Sequence, residues 1–114
     1  MSEAVIEKVD NDGMVRLTIN RPKALNALNS DVLLALETHL VELEAHPNLR
    51  GVLLTGAGEK AFVAGADITE MRDKTPEEAR DFASQALRTI KRLETLPVPV
   101  VALVNGFCLG GGCE

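Results

Sequence analysis

The sequence predicts an α/β fold, and three observations carry that prediction. Segments with strand patterning alternate with segments of helical period along the chain. Both long helical segments have recognisable start and stop residues. Strand, helix, strand, helix, strand in that order implies parallel pairing through right-handed crossovers. The length, 114 residues, allows one domain at most.

Residues 4–9 form a short strand, followed by Asp10-Asn11-Asp12-Gly13, whose Asp-Gly pair supplies the positive φ of a tight hairpin. Residues 14–20 alternate: Val15, Leu17 and Ile19 point one way and Arg16, Thr18 and Asn20 the other, the pattern of a half-buried strand. Pro22 removes a ladder donor and ends that strand. After a loop over residues 24–29, Asn29 or Ser30 caps a helix running to about Ala45, with Asp31 favourable in its first turn. Its buried stripe is Val32, Leu33, Leu36, Leu40 and Leu43.

Residues 51–55 are an apolar run bounded by Gly and polar residues, a buried strand. A loop over 56–60 leads to residues 61–68, an extended segment turning into a short helix near Asp67. Thr75 caps the second long helix, with Pro76 at its first position and Glu78 closing a capping box. The stripe Ala79, Phe82, Ala83, Ala86, Leu87, Ile90 and Leu93 carries it to about Thr95. Pro97 and Pro99 flank its exit, and residues 98–104 read as a strand buried on both faces.

Composition narrows the function. Hydrophobic residues at 46% and charged residues at 25% suit a globular protein and exclude a disordered chain. A net charge of −5, with no Trp, no Tyr and three Phe, argues against nucleic-acid binding by phosphate neutralisation or base stacking. Cys108 and Cys113 are too few for a disulfide scaffold and complete no zinc pattern, so they are expected to be packing thiols. The N-terminus lacks a basic segment followed by an apolar one, and no run approaches the ~20 residues of a membrane span. A cytoplasmic protein with no membrane partner, metal or redox cofactor is the expectation.

Three places are candidates for chemistry. Gly110-Gly111-Gly112 follows a strand; it is either a tight turn or a backbone that approaches a ligand and opens a helix, where free N–H groups attract an anion. It lacks the Lys-Ser or Lys-Thr of a P-loop and the spacing of a dinucleotide fingerprint. Glu114, two residues on, is either solvated or a general base. Gly65-Ala66-Asp67 is a second small-residue turn, serving close packing or ligand approach, and Asp67 also suits a helix cap. Arg21 and Lys23 are either solvated or meet a phosphorylated ligand. His39 and His46 receive no role.

Residues 20–28 (Asn-Arg-Pro-Lys-Ala-Leu-Asn-Ala-Leu), 62–68 (Phe-Val-Ala-Gly-Ala-Asp-Ile) and 105–114 (Asn-Gly-Phe-Cys-Leu-Gly-Gly-Gly-Cys-Glu) together resemble the enoyl-CoA hydratase/isomerase (crotonase) family. The three motifs occur in the family's order. The resemblance implies a ββα spiral, of which residues 1–114 are the N-terminal portion and the C-terminal half is absent. It further implies an acyl-CoA thioester substrate, with CoA entering as part of the substrate, and a homotrimer or dimer of trimers. By motif position the backbone N–H groups of Ala66 and Gly111 form the oxyanion hole. Ala64, Gly65, Ala66, Asp67 and Ile68 (residues 64–69 as a segment) run along CoA, with Lys23 and Ala24 near its nucleotide end. Glu114 is the first of two glutamates holding a water over the double bond. The implied activity is hydration of trans-2-enoyl-CoA in fatty-acid β-oxidation. Another family reaction, or a fragment that binds CoA weakly or not at all, is the alternative.

Overall fold

The computed structural model describes residues 3–10 and 12–114. The expectations resting on Met1, Ser2 and Asn11 lie outside them. Strand β1 (Val5–Val9) pairs antiparallel with β2 (Met14–Ile19), with Val9 opposite Val15. Gly13 takes φ +83° at the turn, and the Asp10 carboxylate accepts from the N–H groups of Asp12 and Met14. Val15, Leu17 and Ile19 are buried and Arg16 is exposed, as the alternation requires.

A 3-10 turn (Pro22–Ala24) precedes α1 (Ser30–Glu44). The Asn29 side chain accepts from the Val32 N–H, an N-cap that replaces one of the helix's missing acceptors. All five residues of the expected stripe are buried and join Val15, Leu17, Ile19 and Val52 in one core. Glu7 and His39, 2.9 Å apart, pin β1 to α1.

Strand β3 (Gly51–Gly56) lies parallel to β2. Strand β4 (Ala61–Val63) leads to the short helix α2 (Ile68–Arg72), which Asp67 caps through the Thr69 N–H. Helix α3 (Pro76–Thr95) begins with the complete Thr75–Glu78 capping box. Strand β5 (Val100–Leu103) is parallel to β3, giving the sheet order β1-β2-β3-β5. A second, two-stranded sheet joins β4 to β6 (Phe107–Cys108), and a 3-10 turn (Gly110–Gly112) follows.

Two expectations are corrected. The strand expected over 98–104 is shorter and is not buried on both faces: Val101 is 49% and Val104 55% exposed. It holds the edge of the sheet, so among the described residues one flank has no partner strand; Val100 packs against the core, while Val101, Ala102 and Leu103 are exposed. On α3, Phe82 alone of the expected stripe is buried, whereas Leu87 is 64% exposed. The helix meets the core through the buried Phe82 and Thr89, with Leu96 just past its end, and through the partly buried Ala86 and Leu93. Ion pairs also hold α3 to α1: Glu37 with Arg88 and Arg92, and Glu44 with Arg92.

Candidate functional site

The site grows from the loop over residues 20–28. Leu25 and Asn26 both take left-handed backbone conformations, φ +54° and +56°. Asn26 is fully buried. Its side-chain oxygen accepts from the Arg21 N–H (2.9 Å), and its amide donates to the carbonyls of Ala57 (3.0 Å) and Ala61 (2.8 Å). One side chain thus ties the Pro22 turn to the end of β3 and the start of β4. Asn tolerates this backbone region because its short polar side chain can bond locally.

The loop then pairs with the Gly65 segment. The Leu28 N–H donates to the Gly65 carbonyl and the Asp67 N–H to the Leu28 carbonyl, each at 2.8 Å. Those two bonds flank Ala66, so its own N–H points away from Leu28, as alternation along an extended chain demands. Arg21 braces the segment: its guanidinium donates to the Ala27 carbonyl (2.8 Å) and to Asp67 (3.1 Å). Hydrogen bonds from Thr69, then from Arg21, lower the Asp67 carboxyl below its ordinary value against the opposing effect of desolvation. Arg21, weighed above as a contact for a phosphorylated ligand, is committed to Asp67.

The glycine turn packs onto this segment. The Leu109 N–H donates to the Val63 carbonyl at 3.1 Å. Gly65 has φ +118° and Gly110 φ +51°, both left-handed. A Cβ on Gly65 would stand 3.5 Å from the Leu109 oxygen, and one on Gly110 3.7 Å from the Gly65 Cα, so the two turns touch. A Cβ on Gly112 would overlap the Val63 carbonyl oxygen. The structure therefore brings Gly65–Ala66 and Leu109–Gly111 together, from places some 45 residues apart in sequence. Among the described residues, neither the Ala66 nor the Gly111 N–H finds a protein acceptor.

Beside the turn lies an apolar cleft of about 460 Å³, lined by Leu28, Leu54, Ile90, Leu93 and Val100 and bordered by Gly111, Glu114 and Glu94. Glu94 went unnoticed in the sequence, where it is one more charge on an exposed helix face. The buried Thr89 hydroxyl also borders the cleft and has no hydrogen-bond partner among the described residues. Lys23 stands elsewhere, in a cleft of about 420 Å³ with Pro22, Asn26, Gly58 and Lys60; Lys60 is a second cation that sequence reading missed. Ala24 closes the adjacent 3-10 turn, Ala64 is half-buried and Ile68 is 80% exposed.

The amide pair, the carboxylate and the apolar cleft suit recognition of a carbonyl oxygen next to an acyl chain. The enoyl-CoA hydratase/isomerase family profile matches residues 10–114. The short-chain-enoyl-CoA hydratase of Clostridium acetobutylicum is 50% identical over 114 residues, all of this chain and 43% of that protein. The crotonyl-CoA hydratase of Syntrophomonas wolfei is 43% identical over 110 residues, 96% of this chain and 42% of that protein. The crystal structure of an enoyl-CoA hydratase from Bacillus anthracis superposes with a TM-score of 0.92 at 38% identity, over 96% of this chain and 42% of that one. The chain thus spans less than half the length of these relatives, in their N-terminal part. Its α/β architecture is the N-terminal portion of the crotonase fold. Among the described residues no helix is long and apolar enough to cross a membrane. The chain belongs to the enoyl-CoA hydratase/isomerase family.

Proposed function

We propose that residues 1–114 form the N-terminal part of one crotonase-like domain that hydrates a trans-2-enoyl-CoA. The observation that carries this reading is the contact between the Gly65 and Gly110 turns: among the described residues the Ala66 and Gly111 N–H groups have no acceptor, and Gly111 borders the same cleft as Glu114. The hydratase names of its relatives support the same reading.

In the proposed reaction the thioester oxygen accepts from the N–H groups of Ala66 and Gly111. A water oxygen adds to the β-carbon, and the displaced π electrons move onto the thioester oxygen as an enolate. The α-carbon then takes a proton and the carbonyl re-forms. Glu114 is one of two carboxylates that hold the water and move its proton. Preorganised donors gain most where charge develops, and removing one such donor costs about 2.7–4 kcal/mol in other enzymes. Ala64 to Ile68 run along CoA mainly through their backbone, since the Asp67 carboxylate is occupied by Arg21 and Thr69. Lys23 and Ala24 lie at the nucleotide end, and the oligomer is a trimer or dimer of trimers. The test is Glu114→Gln in the complete protein. Turnover of an enoyl-CoA should fall by orders of magnitude (at least about 100-fold) while KM stays near its original value; unchanged turnover overturns the role.

A further inference from the structure

Cys108 packs against the core as a packing thiol would, but Cys113 is exposed. Cys108 is fixed by β6, opposite Val63 of β4. The chain then turns back on itself: the Gly112 N–H donates to the Leu109 carbonyl (2.8 Å) and the Cys113 N–H to the Gly110 carbonyl (3.0 Å). This returns the Cys113 side chain over Cys108, where its thiol donates to the Cys108 carbonyl with sulfur and oxygen 2.9 Å apart. Both thiols are free, Cys108 half-buried and Cys113 exposed. Between them only Leu109 has a side chain, and Gly110 already occupies the left-handed region.

We propose that Cys108 and Cys113 form a reversible intrachain disulfide that closes a loop around Gly110–Gly112. Such a bond needs Cα atoms roughly 4.4–6.8 Å apart, a spacing that a glycine-rich turn can reach by small backbone rotations. Desolvation, followed by the neighbouring Cys113 thiol, pushes the Cys108 thiol up, so Cys108 is protonated at neutral pH and the exposed Cys113 reacts first. With a peroxide as oxidant, the Cys113 thiolate attacks one oxygen and becomes a sulfenic acid as the O–O bond breaks. Cys108 then loses its proton and attacks that sulfur, expelling hydroxide. Two thiols and one hydrogen peroxide become one disulfide and two waters, with two electrons passing from sulfur to oxygen.

Closure has a structural consequence. Gly112 is pressed against the Val63 carbonyl, so a tightened loop cannot move inward and must instead rotate the peptide carrying the Gly111 N–H. This holds whether or not Gly111 serves the reaction proposed above.

The experiment treats the reduced complete protein with hydrogen peroxide under native conditions and isolates the species with no intermolecular disulfide. The tryptic peptide that begins at Leu93 holds both cysteines, since no Lys or Arg stands between them, and it should lose two hydrogens, refuse maleimide and recover both thiols with dithiothreitol. The Gly111 amide resonance in a ¹H–¹⁵N spectrum should shift on oxidation and return on reduction. Cys108→Ser and Cys113→Ser should each abolish the mass loss and the shift. Oxygen uptake without hydrogen loss, intermolecular dimers as the main product, or an unmoved Gly111 resonance in the disulfide form would each overturn the proposal.

Discussion

Strands β3 and β5 are neighbours in one sheet, both apolar and both in parallel pairing, yet they live in different surroundings. In β3, Val52 is fully buried and Leu54 nearly so, between β2 on one side and β5 on the other. In β5, Val101 and Leu103 are 49% and 39% exposed. The contrast extends to the helices: α1 buries its whole stripe, whereas α3 buries a single line of contacts. An apolar run states that a strand forms, and only the neighbouring layers decide how much water it loses. Burial is therefore concentrated in β2, α1, β3 and β4, while β5 and β6, with the Gly110 turn that follows, are less covered.

The widest gap should appear in paired truncations. Leu17→Ala, in the centre of the core, should cost about 2–5 kcal/mol in denaturant unfolding, because it removes buried methyl groups and leaves a cavity. Leu103→Ala should cost under about 1 kcal/mol. Equal losses would mean that β5 is as well packed as β2, contrary to its exposure.

Next is Asn26→Ala, at about 2–3 kcal/mol, since it strands the Arg21 N–H and the Ala57 carbonyl and leaves the Ala61 carbonyl only a 3.3 Å bond from Asn105. A cost below about 0.5 kcal/mol, in the range of ordinary surface changes, would show that the loop holds without its hub.

Thr89→Val should move the other way. Its hydroxyl is buried without a partner among the described residues, so an apolar group of the same shape should add about 1 kcal/mol. A lower melting temperature for the variant would show that the hydroxyl is bonded after all.

The smallest effect is electrostatic. Its hydrogen bond to Arg88, with further help from Arg92, holds the Glu37 carboxyl below its ordinary 4.5, against the opposing effect of desolvation. A depressed folded-state value contributes stability that is complete above about pH 4.5 and is lost as pH falls through the folded value. Glu37→Gln should therefore lower stability slightly at neutral pH and flatten the acid limb by the same small amount, because Arg88 is half-exposed and screened. An unaltered acid limb would remove Glu37 from the α1–α3 contact.

What was legible in the sequence was local. The Asp-Gly hairpin, the Asn29 cap, the stripe of α1 and the Thr75–Glu78 box each depend on residues within a few positions of one another, and each stands where its pattern put it. The exposure of β5 was not legible, because burial is decided by strands and helices far away in the chain. Nor was Asn26 as a buried hub: an Asn between Leu25 and Ala27 carries no mark of the carbonyls 31 and 35 residues further on that hold it. Within the site, the small-residue motifs were visible through family resemblance, but the contact between Gly65 and Gly110 and the capture of Asp67 by Arg21 exist only in three dimensions.

The close seating of the glycine turn on β4 also governs how mutation would read this surface. Where the chain's own backbone fills the space, a substitution survey would register a volume filter rather than a chemical preference. At Gly112 alanine should fare nearly as badly as valine, because the first carbon already meets the Val63 carbonyl. At Gly110 space remains but the backbone is left-handed, so asparagine should be tolerated better than a branched residue. A region closed to any side chain at one position and filtered by backbone angle two residues before it is the record such a surface leaves in variation.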